Sequence, residues 1–88
     1  MFLARVYVSL KPTVNDPEGL TIHGALKDLG LETIESVRAG KYFEVRFEAD
    51  DEAAADRDVR RMCDELLANP VIDQYRYELE QLESVPRR

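Results

Sequence analysis

Phe2-Leu3-Ala4-Arg5-Val6-Tyr7-Val8-Ser9-Leu10 alternates without a break. Phe2, Ala4, Val6, Val8 and Leu10 share one side, and Leu3, Arg5, Tyr7 and Ser9 share the other. Period two over such a span predicts a strand with one buried face. Lys11-Pro12 ends it, because proline brings no backbone N–H to a ladder. A second alternation follows downstream: Phe43, Val45 and Phe47 against Tyr42, Glu44, Arg46 and Glu48. Two such strands, each followed by a helical pattern, divide the chain into two strand-helix-strand halves. The first runs from Phe2 to Arg38 and the second from Tyr42 to Leu79.

In the first half, Asp16-Pro17-Glu18 reads as a helix start. Asp16 can cap free amides, Pro17 suits the first helical position, and Glu18 complements the dipole. Ile22, Leu26 and Leu29 form an apolar stripe, and Gly30 stops the helix. Ile34 to Arg38 is expected as a short second strand, with Ala39-Gly40 as the turn after it. In the second half, Asp50-Asp51-Glu52 opens a helix whose stripe is Ala55, Val59, Met62 and Leu66. Asp56 with Arg60, and Arg61 with Glu65, are opposite charges four residues apart. Asn69-Pro70 ends that helix. Val71 to Leu79 forms the last strand, with Tyr75, Tyr77 and Leu79 on one face.

The order is βαββαβ. Short connections and right-handed crossovers make this an α+β, ferredoxin-like sandwich: an antiparallel sheet with two helices on one face. Residues 1–82 make a single domain, and the polar stretch 83–88 is a frayed tail. The uncovered sheet face would carry Arg5, Tyr7, Tyr42, Glu44, Arg46, Arg76 and Glu78.

Composition narrows the partners. The 88 residues carry a net charge of −6. A phosphate backbone or an anionic lipid surface is therefore disfavoured, and neither nucleic acid nor membrane is expected. Arg5 and Lys11 interrupt any apolar N-terminal segment, and a single cysteine, Cys63, forms no internal disulfide. Both fit a cytoplasmic chain. Small cores with open sheet edges gain from self-association, so a homodimer or dimer of dimers is expected.

Chemistry-bearing residues are sparse. His23 lacks a metal-ligating partner on its own helix, and Cys63 lacks a nearby histidine base. The acidic run at Asp50, Asp51 and Glu52 reads as helix capping. No phosphate-binding glycine loop or nucleophile elbow occurs. Gly40 to Phe47 resembles the RNP1 strand of RNA-binding modules, but Glu44 stands where a stacking aromatic belongs. Asp16-Pro17-Glu18-Gly19-Leu20 with Ala25-Leu26 and Leu29-Gly30 resembles an ACT domain, whose implied role is sensing an amino acid at a dimer interface. Glu18 breaks the Pro-Gly pair usual there.

A wider resemblance covers Val6 to Leu79. Its segments, in order, are Val6-Tyr7-Val8 with Lys11, then Asp16-Pro17-Glu18-Gly19, Ala25 to Gly30, and Val37-Arg38-Ala39-Gly40-Lys41-Tyr42. Met62-Cys63 through Ile72, with Tyr75 and Glu78, completes the set. The chain is similar to the PurS family, the small subunit of phosphoribosylformylglycinamidine synthase in purine biosynthesis. That resemblance implies a non-catalytic subunit bridging an ATP-dependent synthetase (PurL) and a glutaminase (PurQ). ATP, magnesium and glutamine would then be handled by those partners, leaving this chain no catalytic, cofactor or metal residue. Residues expected to make its contacts are Arg5, Tyr7, Gly40, Lys41, Tyr42, Glu44, Arg46, Asn69 and Tyr75.

Overall fold

The computed structural model describes residues 1–82; the expected tail, residues 83–88, lies outside the described residues. Strand β1 (Phe2–Leu10) leads through a loop to helix α1 (Pro17–Asp28). Strand β2 (Gly40–Phe47), helix α2 (Glu52–Met62), a π-helical turn (Cys63–Leu67) and strand β3 (Asp73–Gln81) follow. The sheet is antiparallel, in the order β2-β1-β3. The α+β class and the antiparallel sheet are as the sequence predicts.

The core lies between the even-numbered side of β1 and α2. Ala4, Val6 and Val8 pack with Val59, Cys63 and Ala68. Phe43, Val45 and Phe47 of β2, and Tyr75, Tyr77 and Leu79 of β3, close its sides. At the sheet end Phe2 meets Phe47 with ring centroids 6.0 Å apart. Asp51 caps α2 by accepting from the Ala54 amide at 2.8 Å.

The expected strand at Ile34–Arg38 does not join the sheet. A hairpin there would need a turn at Ala39-Gly40, and the tight turns that join strands require positive φ. Among the described residues Gly30 is the glycine with positive φ, at 92°. Gly40 instead already pairs with Ser9 in the ladder. The segment therefore enters β2 extended, without reversing, and lies against α1.

Two hydrogen bonds, beside the helix's own capping bond, tie α1 and its cap to that stretch. Asp16, only 4 % exposed, accepts from the Gly19 amide at 2.9 Å and the Ala39 amide at 2.8 Å. His23 Nε2 lies 2.7 Å from the Ile34 carbonyl oxygen. Helix and segment thus form an arm apart from the core, with Ile22 and Leu29 of the predicted stripe exposed, as is Leu20, and Leu26 half-buried. The two amides hold the Asp16 carboxylate below its usual range, Gly19 first and Ala39 second, with Arg38 adding to the effect. A lowered folded pKa means that the unfolded chain binds the proton more readily. Asp16 thus contributes fully above the ordinary carboxylate value of about 3.9, and its contribution is lost as pH falls through the lowered folded value. Thermal melts of the natural chain and Asp16→Asn should differ near neutrality and converge in acid. A gap independent of pH would contradict this role.

The second helix also departs from simple periodicity. The Ala68 amide reaches back five residues to the Cys63 carbonyl at 3.0 Å. That wide turn rotates the apolar stripe, so Cys63 and Ala68 are buried while Leu66 is 81 % exposed. Asn69 then spends its groups on the next turn. Its carbonyl accepts from the Ile72 and Asp73 amides, its side-chain oxygen from the Val71 amide, and its own amide donates to Asp73. The last strand consequently starts at Asp73, two residues later than the alternation suggests.

Candidate functional site

Alternation sends the odd-numbered residues of β1 to the face opposite α2. Ladder register then builds rows across that face. Arg5 aligns with Glu44 and Glu78, and Tyr7 with Tyr42 and Arg76. Leu3 aligns with Arg46 and Glu80, and Ser9 with Gly40 and Gln74. Five of the nine predicted contact residues therefore meet on one surface: Arg5, Tyr7, Tyr42, Glu44 and Arg46, with Gly40 at its edge.

Most polar groups on this face are matched. Arg5 pairs with Glu80 at 3.0 Å, and this contact raises the guanidinium pKa further. The Tyr42 hydroxyl donates to Glu44 at 2.7 Å, a bond that raises the phenol pKa. The Tyr7 hydroxyl donates to Glu78 at 3.3 Å, and the Tyr7 and Tyr42 rings lie tilted 5.1 Å apart. Arg76 lays its guanidinium 3.9 Å over the Tyr7 ring, a cation–π contact that fixes both side chains. A face of aromatic rings and paired charges is suited to recognition, since tyrosine and arginine dominate interface energies.

Three predicted residues lie elsewhere. Lys41 and Tyr75 share a register row with Val8, on the helix-facing side, and Asn69 belongs to the turn before β3. Tyr75 donates to Asp64 at 2.9 Å; burial, then that carboxylate, pushes its phenol up to about 12. Tyr77 is likewise hydrogen-bonded to Asp56, which Arg60 also holds at 3.0 Å. These two tyrosines clamp α2 and the π-helical turn after it to β3. Arg38, which the sequence did not single out as a contact residue, folds over the sheet end and donates to the carbonyls of Lys11 at 3.0 Å and Val14 at 3.1 Å. No local pattern marks it, because its position follows from the segment bypassing the sheet.

Burial pushes the Cys63 thiol up, away from the thiolate, with Asp64 adding to the shift. Among the described residues no group of three or more His, Cys, Asp or Glu is placed to hold a metal ion. Nor is any helix among them long and apolar enough to cross a membrane.

The family model PurS, described as phosphoribosylformylglycinamidine (FGAM) synthase, matches residues 3–81. The chain belongs to the PurS family. The Synechocystis PurS subunit is 47 % identical over 79 residues, covering 90 % of this chain and 79 % of the relative. A crystal form of Bacillus subtilis PurS superposes with a TM-score of 0.84 at 44 % identity, covering 92 % of this chain and all of that one. A chain of the PurLQS structure from Thermotoga maritima gives a TM-score of 0.80 at 28 % identity, covering 91 % and 99 % of the two chains. PurS is a subunit of FGAM synthase, in purine biosynthesis.

Proposed function

We propose that this PurS chain works in the cytoplasm as a non-catalytic bridge between a PurL synthetase and a PurQ glutaminase, and that it self-associates as a dimer or dimer of dimers. Its likeness to a chain of the Thermotoga maritima PurLQS structure carries the reading. ATP, magnesium and glutamine are then the partners' substrates and cofactors. Ammonia released into water is protonated and lost as a nucleophile, so the two reacting centres gain from being held in register. A rigid adaptor contributes proximity and orientation without reacting.

The shape supports the adaptor role. The radius of gyration is 17.2 Å and the extents are 50 × 32 × 17 Å. A compact chain of this length would have a radius of gyration of about 12 Å. The α1 arm stands apart from the core, and its exposed Leu20, Leu29 and Leu31 gain a cover if a second copy packs on them. The open sheet face with Arg5, Tyr7, Tyr42, Glu44 and Arg46 remains as a second surface, and Gly40, Lys41, Asn69 and Tyr75 are assigned to contacts along its end and the neighbouring turn.

Reconstitution tests this directly. Purified synthetase and glutaminase should make FGAM from glutamine only when this chain is added, and the chain alone should hydrolyse neither ATP nor glutamine. Full glutamine-dependent turnover without it would defeat the bridging role. Light scattering at micromolar concentration should return a dimer or tetramer mass, and a monomer would defeat the self-association.

A further inference from the structure

One end of the open sheet face concentrates positive charge in a chain whose net charge is −6. A cavity of about 540 Å3 opens there, lined by Arg38, Lys41 and Arg76 together with Tyr7 and Tyr42. None of the described residues lining it is acidic. Its volume lies within the range of small-molecule sites, about 300–1,000 Å3.

The cations differ in how they are held. Arg38 Nη2 donates to the Lys11 and Val14 carbonyls, which fixes the guanidinium and leaves the other N–H groups of its fork for a ligand. Arg76 is immobilised on the Tyr7 ring and lies 3.8 Å from Glu78, too long for a strong pair. Lys41 forms no ion pair among the described residues. Two pre-positioned guanidinium groups beside an unpaired ammonium suit the tetrahedral oxygens of a phosphate, because the held guanidinium groups lose little side-chain entropy on binding. Gln74 and Ser9 add hydrogen-bonding groups on the same floor. The Tyr42 ring, 49 % exposed, offers an apolar wall beside them.

The surroundings limit the ligand to a single compact anionic group. The next row along the face presents Glu44 and Glu78 on either side of Arg5, which is itself paired with Glu80 of the row beyond, where Arg46 also stands. A polynucleotide or an acidic peptide would carry its following charges onto those carboxylates. We propose that this cavity binds a small phosphomonoester, with the phosphate held by Arg38, Lys41 and Arg76 and the organic part resting on Tyr42. The site shares Tyr7, Lys41 and Tyr42 with the proposed contact surface, but its test uses the chain alone and does not depend on the bridging role.

Titration calorimetry of the full chain at low salt is the test, with ribose 5-phosphate, ribose, inorganic phosphate and poly-glutamate as probes. Ribose 5-phosphate should bind saturably, one per chain, more tightly than inorganic phosphate, while ribose and poly-glutamate should not bind. Lys41→Gln and Arg76→Gln should each weaken binding by about tenfold or more while still melting cooperatively as folded chains, as expected for lost charge-assisted hydrogen bonds. Arg38→Gln should do the same, and the other two variants keep the test decisive if its loop shifts. No saturable heat at up to about 10 mM ligand would overturn the site. So would equal affinity in Lys41→Gln and Arg76→Gln, tighter binding of poly-glutamate, or inorganic phosphate binding as well as the ester.

Discussion

Gly19→Val is expected to free the α1 arm while the three-stranded sheet stays folded. A β-carbon at Gly19 would stand 2.3 Å from the Val37 carbonyl oxygen and 2.8 Å from Asp16 Oδ2. The first of these is backbone, so no rotamer change relieves it. Overpacking of this kind costs about 1–3 kcal/mol, and valine in a helix adds a few tenths more. The same displacement breaks the Asp16 bonds to Gly19 and Ala39. Nothing in α1 contributes to the core cluster, so the sheet has no reason to follow. Hydrogen exchange should show α1 amides losing protection and β1 amides keeping theirs. Gly24→Ala is the control: a β-carbon there meets nothing within 4 Å, and the substitution should stabilise α1 by about 0.5–1 kcal/mol. Retained α1 protection in Gly19→Val would show that the arm is held by something else. If the arm joins two copies, the variant should also scatter light as a smaller species.

The contrast between the two glycines marks a limit of reading local pattern. Both lie in the same helix and both lower its intrinsic stability. What separates them is a carbonyl eighteen residues downstream, brought close because Ile34–Arg38 runs past the sheet instead of entering it. That segment has a strand-like composition, and its exclusion depends on Gly40 being taken into the β1 ladder. Register competition between two placements is a tertiary effect, invisible to propensity. Where alternation is unbroken, as in Phe2–Leu10 and Tyr42–Glu48, the strands, their faces and the buried partners follow directly.

The candidate surface is legible to the same degree. Period two places Arg5, Tyr7, Tyr42, Glu44 and Arg46 on a common side, and the antiparallel register turns that side into rows. Tyr75 falls on the other face by the same parity, where Asp64 holds it. Lys41 follows the parity of Phe43 and Val45, yet its position at the strand's start leaves it exposed beside the cavity. Arg38 is out of reach of such reasoning, since only the extended path of its segment carries it over the sheet end. Parity assigns faces well; it says nothing about which end of a face is enclosed.

Val59→Asp should abolish folding, and Leu66→Asp should scarcely affect it. The two positions are seven residues apart, the spacing that normally keeps side chains on one helical face. Val59 is fully buried against Ala4, Val6 and Val8. A carboxylate there has no cation placed to receive it: Arg60 and Arg61 point to Asp56 and Glu65 on the exposed side. Burying an unpaired charge costs several kcal/mol, about 4 or more, which rivals the whole stability of a domain this small. Leu66 would suffer equally in an uninterrupted α-helix. The π turn at Cys63–Leu67 adds one residue to the local repeat and rotates Leu66 into solvent. Aspartate there loses little beyond helix propensity, about 1 kcal/mol or less. Denaturant melts of both variants under the same conditions decide the matter. Comparable losses at the two sites would mean that the helix keeps its ordinary period through Leu67, and that the burial of Cys63 and Ala68, and with it the placement of β3 against β1, needs another cause.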